Sequence, residues 1–139
     1  MDIKLAINAS DNLKIPELEM VSGKEGLLFL SEKLKSYTSE LNLHLAIEDN
    51  RFYPKSIKKL TCRQISFSNG LLNLLWQDEL FTIEGDELAV SNFAETLKNL
   101  AESETDYHFH IDYYEDNGIV SETNISLVLA LKINFDIDN

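Results

Sequence analysis

One cysteine, two prolines and one tryptophan occur in 139 residues, and basic side chains are scarce: 12 Lys and Arg face 24 Asp and Glu. A lone Cys62 excludes an internal disulfide framework and a cysteine-based zinc pattern, and reads as a packing residue. The five glycines are scattered over turns and helix starts, so no glycine-rich phosphate loop is present. Long apolar runs are missing too. Leu71 to Trp76 and Leu127 to Leu131 are strand-sized, far short of the roughly twenty residues that span a bilayer. The shortage of basic residues disfavours nucleic acid and anionic membrane as direct ligands, because both need a positive surface. Met1 to Lys4 shows no basic region leading into an apolar core, so the expected compartment is the cytoplasm.

What is present is one unit written twice. Shifted by about sixty residues, LSEKLKSY (Leu30 to Tyr37) lies over FAETLKNL (Phe93 to Leu100), and LHLAIE (Leu43 to Glu48) over YHFHID (Tyr107 to Asp112). Leu27, Leu30, Leu34 and Tyr37 form one apolar stripe at helical spacing, and Val90, Phe93, Leu97 and Leu100 repeat it sixty-three positions later. The pattern predicts helices over about Lys24 to Thr38 and Glu87 to Ser103. Ser22 with Glu25 predicts a capping box for the first, and Gly85-Asp86 an acidic start for the second.

Alternation predicts the strands. Leu41, Leu43, Leu45 and Ile47 share one face after the first helix, and Tyr107, Phe109, Ile111 and Tyr113 after the second; both sets are expected to face the core. Further strands are expected over Ile57 to Phe67 and Ile125 to Ile133, the latter alternating with apolar residues on both faces. Before the helices, Ile3, Leu5 and Ile7 lead to an extended segment through Leu18 and Met20, with Pro16 suggesting an edge or bulge. Leu71 to Trp76 and Leu80 to Glu84 form the matching hairpin, and Asn69-Gly70 marks the turn between units. The expected fold is α+β: a single compact domain of two strand-strand-helix-strand-strand units, about 1–69 and 70–139, with a mainly antiparallel sheet and two helices packed on it.

Charge divides the units unequally. Residues 77–122 carry thirteen acids against Lys98 alone, whereas the rest of the chain has eleven acids and eleven bases. A basic protein partner fits such a surface, and simple solubility is the competing explanation. The turn Tyr113-Tyr114-Glu115-Asp116-Asn117-Gly118 adds aromatic area to acids. Of its two tyrosines Tyr114 is the better contact, since alternation points Tyr113 inward. His108, His110 and Asp112 are spaced by two along one strand. A divalent metal would suit these residue types, but same-face neighbours stand roughly 7 Å apart, which is too far for one ion on a flat strand. The expectation is therefore no metal, no cofactor and no catalytic residue.

The run from Phe81 to Ile133 resembles small immunity proteins of bacterial polymorphic toxin systems, especially immunity-protein family thirty-two. The resemblance rests on a glycine-led start to a helix, the His108-x-His110-x-Asp112 strand and a Ser-containing turn before a final aliphatic strand. It implies a cytoplasmic antidote, not an enzyme, that binds and blocks a cognate toxin, often a nuclease. Partner-contacting residues are then expected at Tyr114, Glu115 and Asp116, followed by Asp112, His108 and His110. Three alternatives stand beside it: an acidic mimic of nucleic acid that captures some DNA-binding protein, a metal-assisted hydrolase built on the two histidines and Asp112, and a homodimer formed through sheet edges.

Overall fold

The computed structural model describes residues 2–12, 14–36, 39–47 and 52–135. Along the chain run β1 (Asp2–Ile3), β2 (Leu5–Ala9), β3 (Glu17–Ser22), α1 (Lys24–Ser36), β4 (Glu40–Leu45), β5 (Lys55–Ile57) and β6 (Lys59–Gln64). The second unit continues with β7 (Asn73–Gln77), β8 (Leu80–Gly85), α2 (Glu87–Ala101), β9 (Tyr107–Ile111) and β10 (Ser126–Leu131). The fold is α+β, with two helices and two mixed, mainly antiparallel sheets.

The strand orders are β1-β4-β6-β8-β7 and β5-β2-β3-β10-β9. Each sheet therefore joins the leading hairpin of one unit to the trailing strand pair of the other. The hairpins β2/β3 and β7/β8 and the pairs β4/β6 and β9/β10 are antiparallel; the seams β3/β10 and β6/β8 are parallel. The two copies are thus interleaved, and exchanging them maps β4-β6-β8-β7 of one sheet onto β9-β10-β3-β2 of the other.

Register refines the internal alignment. Leu18 and Phe81 are equivalent, sixty-three residues apart; they lie opposite Leu127 and Leu60. Leu60 and Leu127 pair in turn with Leu43 and Ile111. Leu43 thus corresponds to Ile111, not to Tyr107 as the sequence overlay has it. That overlay is four residues out. An even slip keeps every side chain on its own face, so alternation alone could not detect it.

Both apolar helix stripes are buried: Leu27, Leu30 and Leu34 in α1, and Val90, Phe93, Leu97 and Leu100 in α2, joining one core cluster with residues of both sheets. Tyr37 and Thr38 lie outside the described residues, and α2 ends at Ala101, short of the expected Ser103. The helices meet at equivalent positions. The buried Ser31 hydroxyl donates to the Ala94 carbonyl at 2.7 Å, a bond worth about 1 kcal/mol. One turn on, Lys35 and Glu95 pair at 3.2 Å; both are about half exposed, so this pair adds little.

Four expectations are corrected. Ser22 does not cap α1, because it belongs to β3 and its hydroxyl donates to the Lys4 and Gly23 carbonyls. The strand expected over Ile57 to Phe67 breaks at Lys58: β5 pairs with β2 in one sheet and β6 with β4 in the other. Lys4 is a similar crossing point, with β1 against β4 and β2 against β3. Pro16 marks neither an edge nor a bulge. It stands just before β3, an interior strand, and its carbonyl accepts from Ser126 N–H at 2.9 Å.

Candidate functional site

The expected contact residues cluster around β9, the terminal strand of its sheet. His108 and His110 lie on the face away from the core, opposite Ala130 and Val128 of β10. Their rings meet edge to face, with centroids 5.2 Å apart and planes at 80°. Asp112 follows the strand and accepts a hydrogen bond from the Ser126 hydroxyl. The trio therefore does not converge on one point. Among the described residues no group of three or more His, Cys, Asp and Glu is placed to hold a metal ion.

Beside the histidines runs an open groove of about 440 Å³ whose lining includes Glu17, Glu19, Tyr53, His108, His110 and Lys132. The Tyr53 hydroxyl donates to Glu17. Partial burial, then the Glu17 hydrogen bond and charge, push that phenol well above its ordinary range. Tyr53 is thus held protonated as a donor. Cys62 lies elsewhere, in the core, where burial raises its thiol to about 12; an inert packing residue is what such a site makes.

The other face of β9 departs from expectation. Ile111 is buried, but Tyr107 is 57% exposed, Phe109 37% and Tyr113 41%. Alternation put Tyr107 and Phe109 on the side that faces α2, yet the core ends before it reaches them, and Tyr113, expected to point inward, lies past the end of β9 and is exposed. Thr96, Asn99, Leu100 and Ser103 of the α2 end instead form, with Tyr107 and Phe109, an apolar hollow of about 370 Å³. The first unit gave a hint, since Leu41, the counterpart of Phe109, is only half-buried.

Past β9 the chain turns through Tyr114 to Gly118. Asn117 pins this loop: its amide nitrogen donates to the carbonyls of Tyr114 and Val120 at 2.8 and 3.0 Å, and its Oδ1 accepts from Ile119 and Val120 N–H, both at 2.8 Å. Asp116 and Gly118 take left-handed φ values of 62° and 73°. The loop holds Tyr114 63% exposed and presents Glu115 and Asp116 to solvent. Tyr114 is exposed as expected, but Tyr113 is exposed too, because the strand ends at Ile111 and alternation no longer applies; Asn117 was not legible, because its partners are set by how the loop closes.

The acidic segment is less uniform than its composition suggests. Asp86 caps α2, Asp106 accepts from Ile133 N–H at 2.8 Å, and Asp112 holds Ser126. Glu79, Glu84 and Glu95 pair with Lys58, Arg63 and Lys35 at 3.3, 3.6 and 3.2 Å. Asp78, Glu87, Glu102, Glu104, Glu115, Asp116 and Glu122 make no such pair with a described residue. Four of these bracket β9 in the sequence, Glu102 and Glu104 before it and Glu115 and Asp116 after it.

Among the described residues no helix is long and apolar enough to cross a membrane. Compared with known proteins, the chain matches no family model, no curated protein and no solved structure.

Proposed function

We propose that this chain is a cytoplasmic immunity protein that neutralises a basic bacterial toxin by binding it, with the loop from Tyr114 to Asp116 as the principal contact. The observation that supports this reading most is the loop itself. Asn117 fixes its shape before any partner arrives, so less ordering entropy opposes binding, and an exposed tyrosine stands beside two carboxylates that no described cation neutralises. Tyrosine supplies contact area, while the acids steer a positive partner and pair with its Lys and Arg. His108, His110 and Asp112 extend the surface along β9. A nuclease suits the charge, because its substrate site must be positive and an acidic protein can occupy it.

Co-expression with a candidate cognate toxin domain provides the test. The wild type should restore growth, and Glu115→Lys with Asp116→Lys should lose about 10-fold or more in affinity for the toxin while melting normally. Full protection by the folded double variant would overturn the assignment of this surface.

A further inference from the structure

We propose that β9 is a docking edge, onto which an extended basic segment of the partner protein adds as a further strand. This deepens the reading above and rests on it for the basic character of the partner. The pseudo-symmetry identifies the position. In the first unit the outer edge of β4 is taken by β1, with Asp2 opposite His44 and Ile3 opposite Leu45. Against the outer edge of β9, the counterpart of β4, on the side away from β10, no described strand is paired. The other sheet ends do not offer an equal edge: β1 and β5 have two and three residues, and β7 is less exposed along its length and bridged at its start, where the preceding Leu72 exchanges hydrogen bonds with Ile119 and Ser121 at 2.8 and 2.9 Å. On β9 four consecutive residues, Tyr107 to His110, are exposed.

An open edge presents unpaired N–H and C=O groups that a second strand can satisfy. Recognition of this kind draws affinity from the main chain and specificity from alternate side chains. One row of the incoming strand would lie against Tyr107, Phe109 and the hollow beside Leu100, which takes apolar side chains. Charge decides the rest. From Glu102 to Asp116 there are six acids and neither Lys nor Arg. Asp106 and Asp112 are occupied within the fold, while Glu102 and Glu104 before the strand and Glu115 and Asp116 after it pair with no described cation. A segment with an apolar centre and Lys or Arg on both sides complements this arrangement. A second copy does not, since pairing β9 with β9 would bring the acidic flanks together.

The experiment uses the full chain and fluorescent peptides of about ten residues in which valine alternates with lysine, the same peptide N-methylated at alternate residues, and one with glutamate in place of lysine. Expected are saturable binding of the lysine peptide, about 10-fold or more loss on N-methylation, no binding of the glutamate peptide, and amide NMR shifts centred on Tyr107 to Ile111. Phe109→Ser should weaken binding; Tyr107→Ser, at a more exposed position, serves the same purpose if the first variant does not fold. Absence of binding, indifference to N-methylation, shifts centred elsewhere, or a dimer formed through β9 without peptide would each overturn the proposal. The peptides involve no toxin, so their failure, with protection still dependent on Glu115 and Asp116, would remove the docking edge and leave the loop reading standing.

Discussion

Asp86 carries more of the local structure than its place in an acidic run suggests. One carboxylate oxygen accepts from Ser68 and Gly70 N–H at 3.1 and 3.0 Å, the other from Ala89 N–H at 3.0 Å, and its own N–H donates to the Ser68 hydroxyl at 2.8 Å. It thereby ties the Asn69-Gly70 turn, where both φ values are positive, to the start of α2. These bonds, Gly70 first and then Ala89 and Ser68, hold the carboxyl below its ordinary value of 3.8. A carboxylate with a lowered folded pKa stabilises the fold above the unfolded value and loses that contribution as pH falls through the folded one. Asp86→Ala should therefore lower the urea midpoint at about pH 6, with the gap to wild type narrowing toward about pH 3; an unchanged gap would contradict the carboxylate's role. The acidic helix start was legible in Gly85-Asp86, because a cap is a local feature. The bonds to Ser68 and Gly70 were not, because they depend on how the turn between the units folds back.

At the level of elements, the two units solve one crowded junction in complementary ways. Where strand meets helix the first unit has Ser22 and Gly26, and the second, sixty-three residues on, has Gly85 and Ala89. A Cβ on Gly26 would lie 1.9 Å from the Ser22 hydroxyl oxygen and 2.7 Å from the Lys4 carbonyl, and one on Gly85 would lie 2.7 Å from the Ala89 methyl. Each pair thus leaves room for one side chain. Gly26→Ala gains about 1 kcal/mol of helix propensity but overpacks at a cost of roughly 1–3 kcal/mol, and the backbone carbonyl cannot rotate away, so net destabilisation is expected. Combining it with Ser22→Gly removes the nearest atom, so the double variant should lose less stability than the two single losses added together. Chemical denaturation of all four proteins checks this, and strict additivity would refute the coupling. Elements were legible in proportion to how far they depend on their own residues. The Leu27 and Val90 stripes carry their periodicity with them, whereas the break at Lys4 leaves the alternation of Ile3, Leu5 and Ile7 undisturbed, the break at Lys58 shows only as the three-residue step from Ile57 to Leu60, and both depend on which sheet lies alongside. Tyr107 and Phe109 show the same limit, since alternation assigns a side of the sheet but not what covers it.

For the whole molecule, the tandem repeat in sequence is not a tandem repeat in space. β3 and β6 of the first unit are interior strands whose parallel partners, β10 and β8, belong to the second. The helices, too, are joined across units through Ser31 and Ala94. Charge does not follow the repeat: Glu102 and Glu104 stand just before β9 and Glu115 and Asp116 just after it, at an edge on which no described strand takes the place that β1 has on β4. Cutting the chain at the junction would strip β3 and β6 of a neighbour and open the buried faces of both helices, a loss that a domain of this size cannot absorb. A fragment of residues 1–69 should therefore lack a cooperative unfolding transition as a monomer. Mixed with residues 70–139 it should recover one, since the seams β3/β10 and β6/β8 can form between separate chains. Alone, it can complete both seams only by pairing with another copy of itself, which would appear as a dimer in light scattering. Circular dichroism melts with light scattering distinguish these outcomes, and a monomeric 1–69 that melts cooperatively would show that the first unit can fold without the second.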